Sequence, residues 1–479
     1  MKKKILLSFV LGIAVMLLFS SKVFASDITN STNILIDEKA INKNLIDGKE
    51  ITYATIKKDT AITIKSEESI HGLYIVYEYS SKAGTLLANE KTTNIGQNNF
   101  LHEYIDVNNL LGAANELLLT YAEDVKIADI YVLGEGELPN YVEVWETSCE
   151  VADLLLFTTH SDDEQLFFLG LLPTYVARGA YVQVVYFANH NDTPRRLHEQ
   201  LHGLYTVGIR NYPVMGLIPD AYSTTLNGAI SNLKSAGLTK DDALKFQVEM
   251  IRRFKPQVVV GHDEKGEYSH GQHILNTHLL KQAIYKANES SYDEISYNLY
   301  GNWQISKLYL HLYEENPIVM DYDIPLDYFD GKTAYEVSKE GYAKHLSQQW
   351  TWFTDWINGK NNNYTKATDI KTYSPLKYGL YYSTVGEDIA RNDMFENIIY
   401  YKVQIEKEKR LKELEEEEKT KQEQVAIEKE ISNITEDNQD GNNKNYFKLA
   451  VICVLAIIMI IIVLKNIKKK WNKKGVKND

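Results

Sequence analysis

The chain has 479 residues, 44% of them hydrophobic and 24% charged, with a formal net charge of -13. That is enough apolar material for more than one core, and the acidic balance argues against nucleic acid and against electrostatic docking on anionic polymers. Its two cysteines, Cys149 and Cys453, fall in segments too far separated to pair, which excludes a disulfide-stapled scaffold.

In chain order, Lys2-Lys3-Lys4, an apolar run from Ile5 to Phe19 and the small residues around Val23-Phe24-Ala25-Ser26 predict a secretory signal over 1–25. Residues 27–145 alternate apolar and polar positions in short runs such as Gly72-Leu73-Tyr74-Ile75-Val76-Tyr77 and Ile127-Ala128-Asp129-Ile130-Tyr131-Val132, split by Gly, Asn and Ser. Several short strands at this spacing predict a β-sandwich. Phe100-Leu101-His102-Glu103-Tyr104 and Gly134-Glu135-Gly136 are similar to the corresponding stretches of discoidin-type, galactose-binding-like sandwiches. That likeness implies either glycan binding through loop aromatics or a packing module. The 33 tyrosines offer stacking faces for sugars, although many must serve the cores.

From residue 150 the pattern becomes α/β. Leu154-Leu155-Leu156-Phe157 reads as a buried strand and runs into His160-Ser161-Asp162-Asp163-Glu164. One imidazole and three carboxylates at a strand's carboxyl end are a place to hold a metal; an acidic turn capping the next helix is the plain alternative. A helix over Glu164 to Arg178, a strand over Tyr181 to Phe187 and a helix carrying Arg196 follow. Val258-Val259-Val260 then reads as a second buried strand, ending in Gly261-His262-Asp263-Glu264-Lys265-Gly266-Glu267-Tyr268-Ser269-His270-Gly271-Gln272-His273. A strand over Lys307 to Tyr313 continues the alternation. The whole predicts a Rossmann-like, mostly parallel sheet over 150–400 with its site at the strands' carboxyl ends. His345 and Tyr378-Gly379-Leu380-Tyr381 belong to the same domain, His345 as a structural residue. Between the two segments, His198-Glu199-Gln200-Leu201-His202 matches the His-Glu-x-x-His pattern of zinc metallopeptidases.

Val403 to Ile434 shifts to Glu and Lys with sparse Leu411, Leu414, Val425, Ile427 and Ile431, which predicts a charged helical stalk or weak coiled coil, with a linker to residue 446. Phe447 to Leu464 is apolar but for Lys448 and is followed by a lysine-rich tail over 465–479. These features predict a transmembrane helix over 447–464 and a single-pass membrane protein with its catalytic domain outside the cell.

The pair of His/Asp segments resembles the PIG-L/LmbE-like family of zinc-dependent N-acetylglucosaminyl deacetylases, whose motifs read His-Pro-Asp-Asp-Glu and roughly Gly-His-x-x-His. The resemblance covers about residues 150 to 395. It implies that His160, Asp163 and His273 bind Zn²⁺, that Asp162 is the general base, and that His270 stabilises the tetrahedral intermediate. Ser161 stands for the usual Pro and Ser269 for the usual Gly, and neither change removes a ligand or the base. Arg196 and Glu199 match the family's Arg-x-x-Glu helix, which implies a substrate-binding Arg196 able to fork onto sugar hydroxyls; a helix salt bridge to Glu199 is the alternative. The residue types suit the chemistry, because an ion held by two His and one carboxylate keeps room for water and for an acetyl oxygen. The expected protein is an exported, membrane-anchored deacetylase of N-acetylhexosamine residues in a surface or secreted glycan, peptidoglycan or exopolysaccharide. A zinc peptidase built on His198 and His202, and an inactive glycan-binding surface protein, are the alternatives.

Overall fold

A computed structural model describes residues 26–40, 43–359 and 364–436. The chain divides into two compact units, Met1–Val403 and Gln404–Asp479.

The first unit opens with two antiparallel sheets. One runs in the order Lys39–Ala40, Asn33–Ile36, Ile62–Ile70, Ala114–Tyr121, Gly84–Ala88, Lys91–Ile95, and the other Ala54–Ile56, Val125–Leu133, Gly72–Tyr77, His102–Ile105. Ile62, Ile64, Leu117 and Leu119 of the first sheet meet Leu73, Ile75, Ile130 and Val132 of the second in one core. Period-two alternation supplies that inner face. Gly72–Tyr77 departs from it, being buried on both faces, because Tyr74 and Val76 pack outward under Val142 and Leu133.

The remainder of the unit is built on a six-stranded sheet ordered Val182–Tyr186, Leu154–Thr158, Val258–Gly261, Lys307–His311, Lys377–Ser383, Pro317–Val319. The first four strands are parallel, in register Leu154↔Val182, Leu154↔Val258 and Val258↔Lys307, and Lys377–Ser383 is antiparallel to its neighbours. Leu154, Leu156, Val258 and Val260 face one apolar core, while Leu155, Phe157 and Val259 face another. Both faces are covered, so these strands read as unbroken apolar runs. The chain leaves Leu154–Thr158 for one neighbour and later returns to the other. The topological switch point, where open α/β sheets open a crevice, therefore lies between the two segments singled out in the sequence.

The helix expected over Glu164 to Arg178 is two helices, Asp163–Leu166 and Leu171–Ala177. Gly170 separates them at φ +85°, and a Cβ there would sit 2.4 Å from the Tyr322 ring. The close approach requires glycine, and its left-handed backbone stands at the N-cap of the second helix.

Two expectations are corrected. Among the described residues no helix is long and apolar enough to cross a membrane, so the fold class with a transmembrane helix and the single-pass membrane localisation do not stand. The long helix, Tyr401–Glu436, is rich in Glu and Lys, and each such charge at a bilayer centre would cost roughly 2.5–3.5 kcal/mol. The segments expected to form the signal (1–25), the membrane helix (447–464) and the basic tail (465–479) lie outside the described residues.

Candidate metal centre and active site

His160 follows the Leu154–Thr158 strand by two residues, and the chain turns at once. The backbone N–H groups of Asp162 and Asp163 donate to the His160 carbonyl at 2.9 and 3.3 Å. Asp163 reaches back, its Oδ2 accepting from the His160 N–H at 2.7 Å. Both side chains are thereby fixed within one turn. The helix Gly271–Lys286 begins with His270 as its N-cap, the ring Nδ1 accepting from the Gln272 N–H at 3.2 Å. His273, in that helix's first turn, points its Nε2 at the same place as His160.

The convergence is close. His160 Nδ1 lies 3.1 Å from Asp163 Oδ2 and 3.1 Å from His273 Nε2, which is 3.2 Å from that same Asp163 oxygen. His160 Nε2 faces Gln272 Oε1 at 2.9 Å and so carries the proton, leaving a lone pair on Nδ1. His273 Nδ1 faces Glu267 Oε2 at 2.8 Å, which likewise leaves its Nε2 as a lone pair. Two imidazole lone pairs and a carboxylate aimed at one another in a buried space repel unless a cation lies among them. His262 Nε2, buried without a hydrogen-bond partner and 3.6 Å from Asp163 Oδ2, adds a fourth donor atom. Nitrogen and carboxylate donors of this kind fit a divalent transition metal such as zinc. Without an ion, a proton must serve. Burial alone would lower His273, yet Asp163 and Glu267 hold it up to about 10. Burial would raise Asp163, yet His273 and His160 hold it well below the carboxylate range.

Glu267, which the sequence reading left unassigned, holds this centre together. Its Oε2 accepts from Nδ1 of both His262 and His273 at 2.8 Å, and its Oε1 from Nδ1 of His311 at 2.6 Å. A buried carboxylate behind ligand imidazoles fixes their tautomers and raises their basicity. Glu267→Gln is therefore expected to weaken metal binding by about 10–100-fold, read as metal retained during dialysis against a graded chelator.

Asp162 stands beside the triad with its Oδ1 3.2 Å from an Arg196 N–H group. Burial raises its pKa against the pull of Arg196, and the neighbouring Asp163 charge adds to the rise. His270 is pushed down to about 2, first by burial and then by His160 and His273. It is neutral, and with Nδ1 occupied as an acceptor its proton sits on Nε2. Arg196 faces the same cavity and bridges Asp162 and Asp220, the latter at 3.1 Å. The helix salt bridge considered for Arg196 belongs to its neighbour, since Arg195 pairs with Glu199 at 2.9 Å. The cavity, about 370 Å³, is lined by Tyr222, Tyr268, Trp352 and Phe353 as well as by the polar groups.

The two departures from the family's motifs have local accounts. The Ser161 N–H donates to His190 Nε2 at 3.2 Å, a bond that a proline could not make. Ser269 takes φ +61°, the left-handed region that suits glycine. His345 is buried 3.2 Å from Glu164, behind the site. The peptidase reading finds no support, because the Glu199 carboxylate is held by Arg195 and by the Ser347 N–H and Oγ, at 2.8 and 2.5 Å for the latter two. It is not poised over an ion between His198 and His202.

Residues 155–284 match the family model described as PIG-L: GlcNAc-PI de-N-acetylase, so the chain carries a PIG-L family domain over that stretch. Its curated relatives include a 1D-myo-inositol 2-acetamido-2-deoxy-alpha-D-glucopyranoside deacetylase of Geodermatophilus obscurus, 26% identical over 178 residues, covering 33% of this chain and 60% of the relative. A protein of the same name from Thermobispora bispora is 26% identical over 179 residues, covering 33% and 57%. The chain thus spans about 60% of these relatives' length. Among solved structures, the N,N'-diacetylchitobiose deacetylase of Pyrococcus horikoshii is 14% identical, covering 48% of this chain and 83% of that one at a TM-score of 0.35. CpGH89CBM32-6 of Clostridium perfringens is 17% identical, covering 23% and 100% at 0.19. The discoidin-type likeness of the amino-terminal sheets is not shown by these matches.

Proposed function

We propose that this protein is a zinc-dependent deacetylase that hydrolyses the N-acetyl group of N-acetylhexosamine residues, of the GlcNAc type, in a glycan such as peptidoglycan or an exopolysaccharide. The observation that carries the reading is the meeting of the His160, Asp163 and His273 donor atoms on the floor of a cavity that also holds Asp162 and His270. Zinc, when bound there, would lower the pKa of water and polarise a carbonyl oxygen. The remaining work falls to the protein's own side chains. Asp162, whose burial favours accepting a proton, takes one from the water that attacks the acetyl carbon. His270, neutral with its proton on Nε2, donates to the oxygen that gains charge. When the carbon–nitrogen bond breaks, Asp162 returns the proton to the leaving amine, giving acetate and a free amino sugar. Arg196 holds Asp162 in place through one arm, and its guanidinium lines the cavity, where it can meet a sugar hydroxyl. The aromatic wall suits the apolar face of a pyranose ring.

The deciding experiment is acetate release by the purified, zinc-loaded full chain against peptidoglycan, poly-N-acetylglucosamine and chitooligosaccharides. Release from at least one is the expected result, and none from any would overturn the reading. Arg196→Gln should raise KM and also lower kcat, because it removes both a sugar contact and the partner of Asp162; a change in KM alone would confine Arg196 to binding.

A further inference from the structure

A second cluster of metal-ligating side chains lies away from the catalytic cavity, where the amino-terminal sheets pack on the Pro194–Thr206 helix. His102 enters from the strand His102–Ile105 and Glu50 from the turn before Ala54–Ile56. Glu143 comes from the connector, and His198 and His202 from the helix. Glu143 accepts from Nδ1 of His102 at 2.8 Å and from Nδ1 of His202 at 2.6 Å. One carboxylate therefore sets the same tautomer in both rings and turns both Nε2 atoms outward, as Glu267 does beneath the catalytic centre. Both Nε2 atoms face Glu50 Oε1, His202 at 2.6 Å and His102 at 4.0 Å. The chosen donor atoms of Glu50, His102 and His202 all fall within 4.8 Å of one another. His198 brings Nδ1 to 2.8 Å from His102 Nε2, while its other nitrogen is buried without a partner.

We propose that Glu50, His102 and His202, with His198 as a fourth donor, form a second divalent transition-metal site of the zinc class that clamps the amino-terminal sheets to the catalytic domain. The donor set is the nitrogen-rich, carboxylate-completed kind that zinc takes in tetrahedral sites. An ion about 2 Å from each donor requires only small side-chain movements from these separations. His102 and His198 are fully buried, whereas His202 and Glu50 retain about a quarter to a third of their exposure and border a cavity of about 610 Å³. That cavity supplies a route for the ion. The site owes nothing to the acetyl chemistry proposed above, and its test is separate.

The test is elemental analysis of zinc per chain on the full-length protein, after zinc loading and desalting. The Asp163→Ala chain, its catalytic centre disabled, should still retain about one equivalent, and adding Glu50→Gln and His202→Asn should remove it. Glu50→Gln and His202→Asn alone should lower the wild-type content by about one equivalent while acetate release by the catalytic centre persists. Zinc should also raise the thermal midpoint of Asp163→Ala, and not that of the combined variant. An Asp163→Ala chain that holds no zinc, or a combined variant that holds as much as Asp163→Ala, would overturn the proposal. Should the combined variant not fold, the zinc content of Asp163→Ala alone decides: about one equivalent supports the site and none rejects it.

Discussion

Replacing Asp162 by Asn is expected to lower acetate release by about 10²-fold or more, with bound metal and fold retained, since general-base contributions are typically of that size. The amide keeps the shape of the side chain and loses the basicity. Its carboxylate touches Arg196 and borders the cavity without taking part in the tight contacts among His160, Asp163 and His273. Occupancy should therefore be indifferent to the change and turnover should not. Single-substrate kinetics and metal content measured on the same preparation separate the two. A near wild-type rate with metal bound would shift the role to another carboxylate. Glu164 and Asp263 are poor successors, since the cavity is lined by Asp162, Asp163 and Asp220 and by neither of them.

The larger loss is expected when the centre itself is taken apart. His160→Ala, Asp163→Ala and His273→Ala should each reduce acetate release to that of chelator-treated protein and remove the zinc that the catalytic centre holds. Asp163 matters most, because its Oδ2 is the atom that both histidines face, at 3.1 and 3.2 Å. Deleting it leaves two imidazoles with no anion between them. His270→Ala should instead keep the metal and lose rate, because its ring caps a helix and its free N–H faces the cavity. Acetate release that survived both His160→Ala and Asp163→Ala would place the reaction elsewhere.

What the sequence made legible follows from how far apart the cooperating residues lie. His160, Asp162 and Asp163 share one turn, and His270 and His273 one turn of helix, so their spacing alone set them together. The parallel sheet was legible for a similar reason, since unbroken runs such as Leu154-Leu155-Leu156-Phe157 admit few other readings. Glu267 was on view in the second segment, but nothing local distinguished it from Glu264. Its role needs His311, which arrives from another strand. Asp220 and Trp352 were hidden in the same way, each brought to the cavity by a separate loop. The break at Gly170 depends on Tyr322, 152 residues away, and no periodicity within the helix signals it. The His-Glu-x-x-His pattern was legible only in part: its spacing places two imidazoles one turn apart, but the neighbours that claim Glu199 come from beyond the pattern.

The Pro194–Thr206 helix turns Arg196 toward the catalytic cavity and His198 and His202 toward the amino-terminal sheets. Around it the Phe100 ring stacks on Tyr212 at 4.6 Å, and the Leu101 N–H donates to the Tyr212 hydroxyl at 2.9 Å. A gene trimmed to begin at residue 150, the natural place to cut if the catalytic half were a portable module, would strip away Phe100, His102 and Glu143 together. The exposed helix face would carry His202 without the Glu143 carboxylate and His198 without the His102 ring it meets, both within two turns of the arginine that steadies Asp162, and Tyr212 beyond the helix would lose the ring stacked on it. Shuffling this domain onto another scaffold, by evolution or by an engineer, therefore has to carry the front half along or rebuild that face.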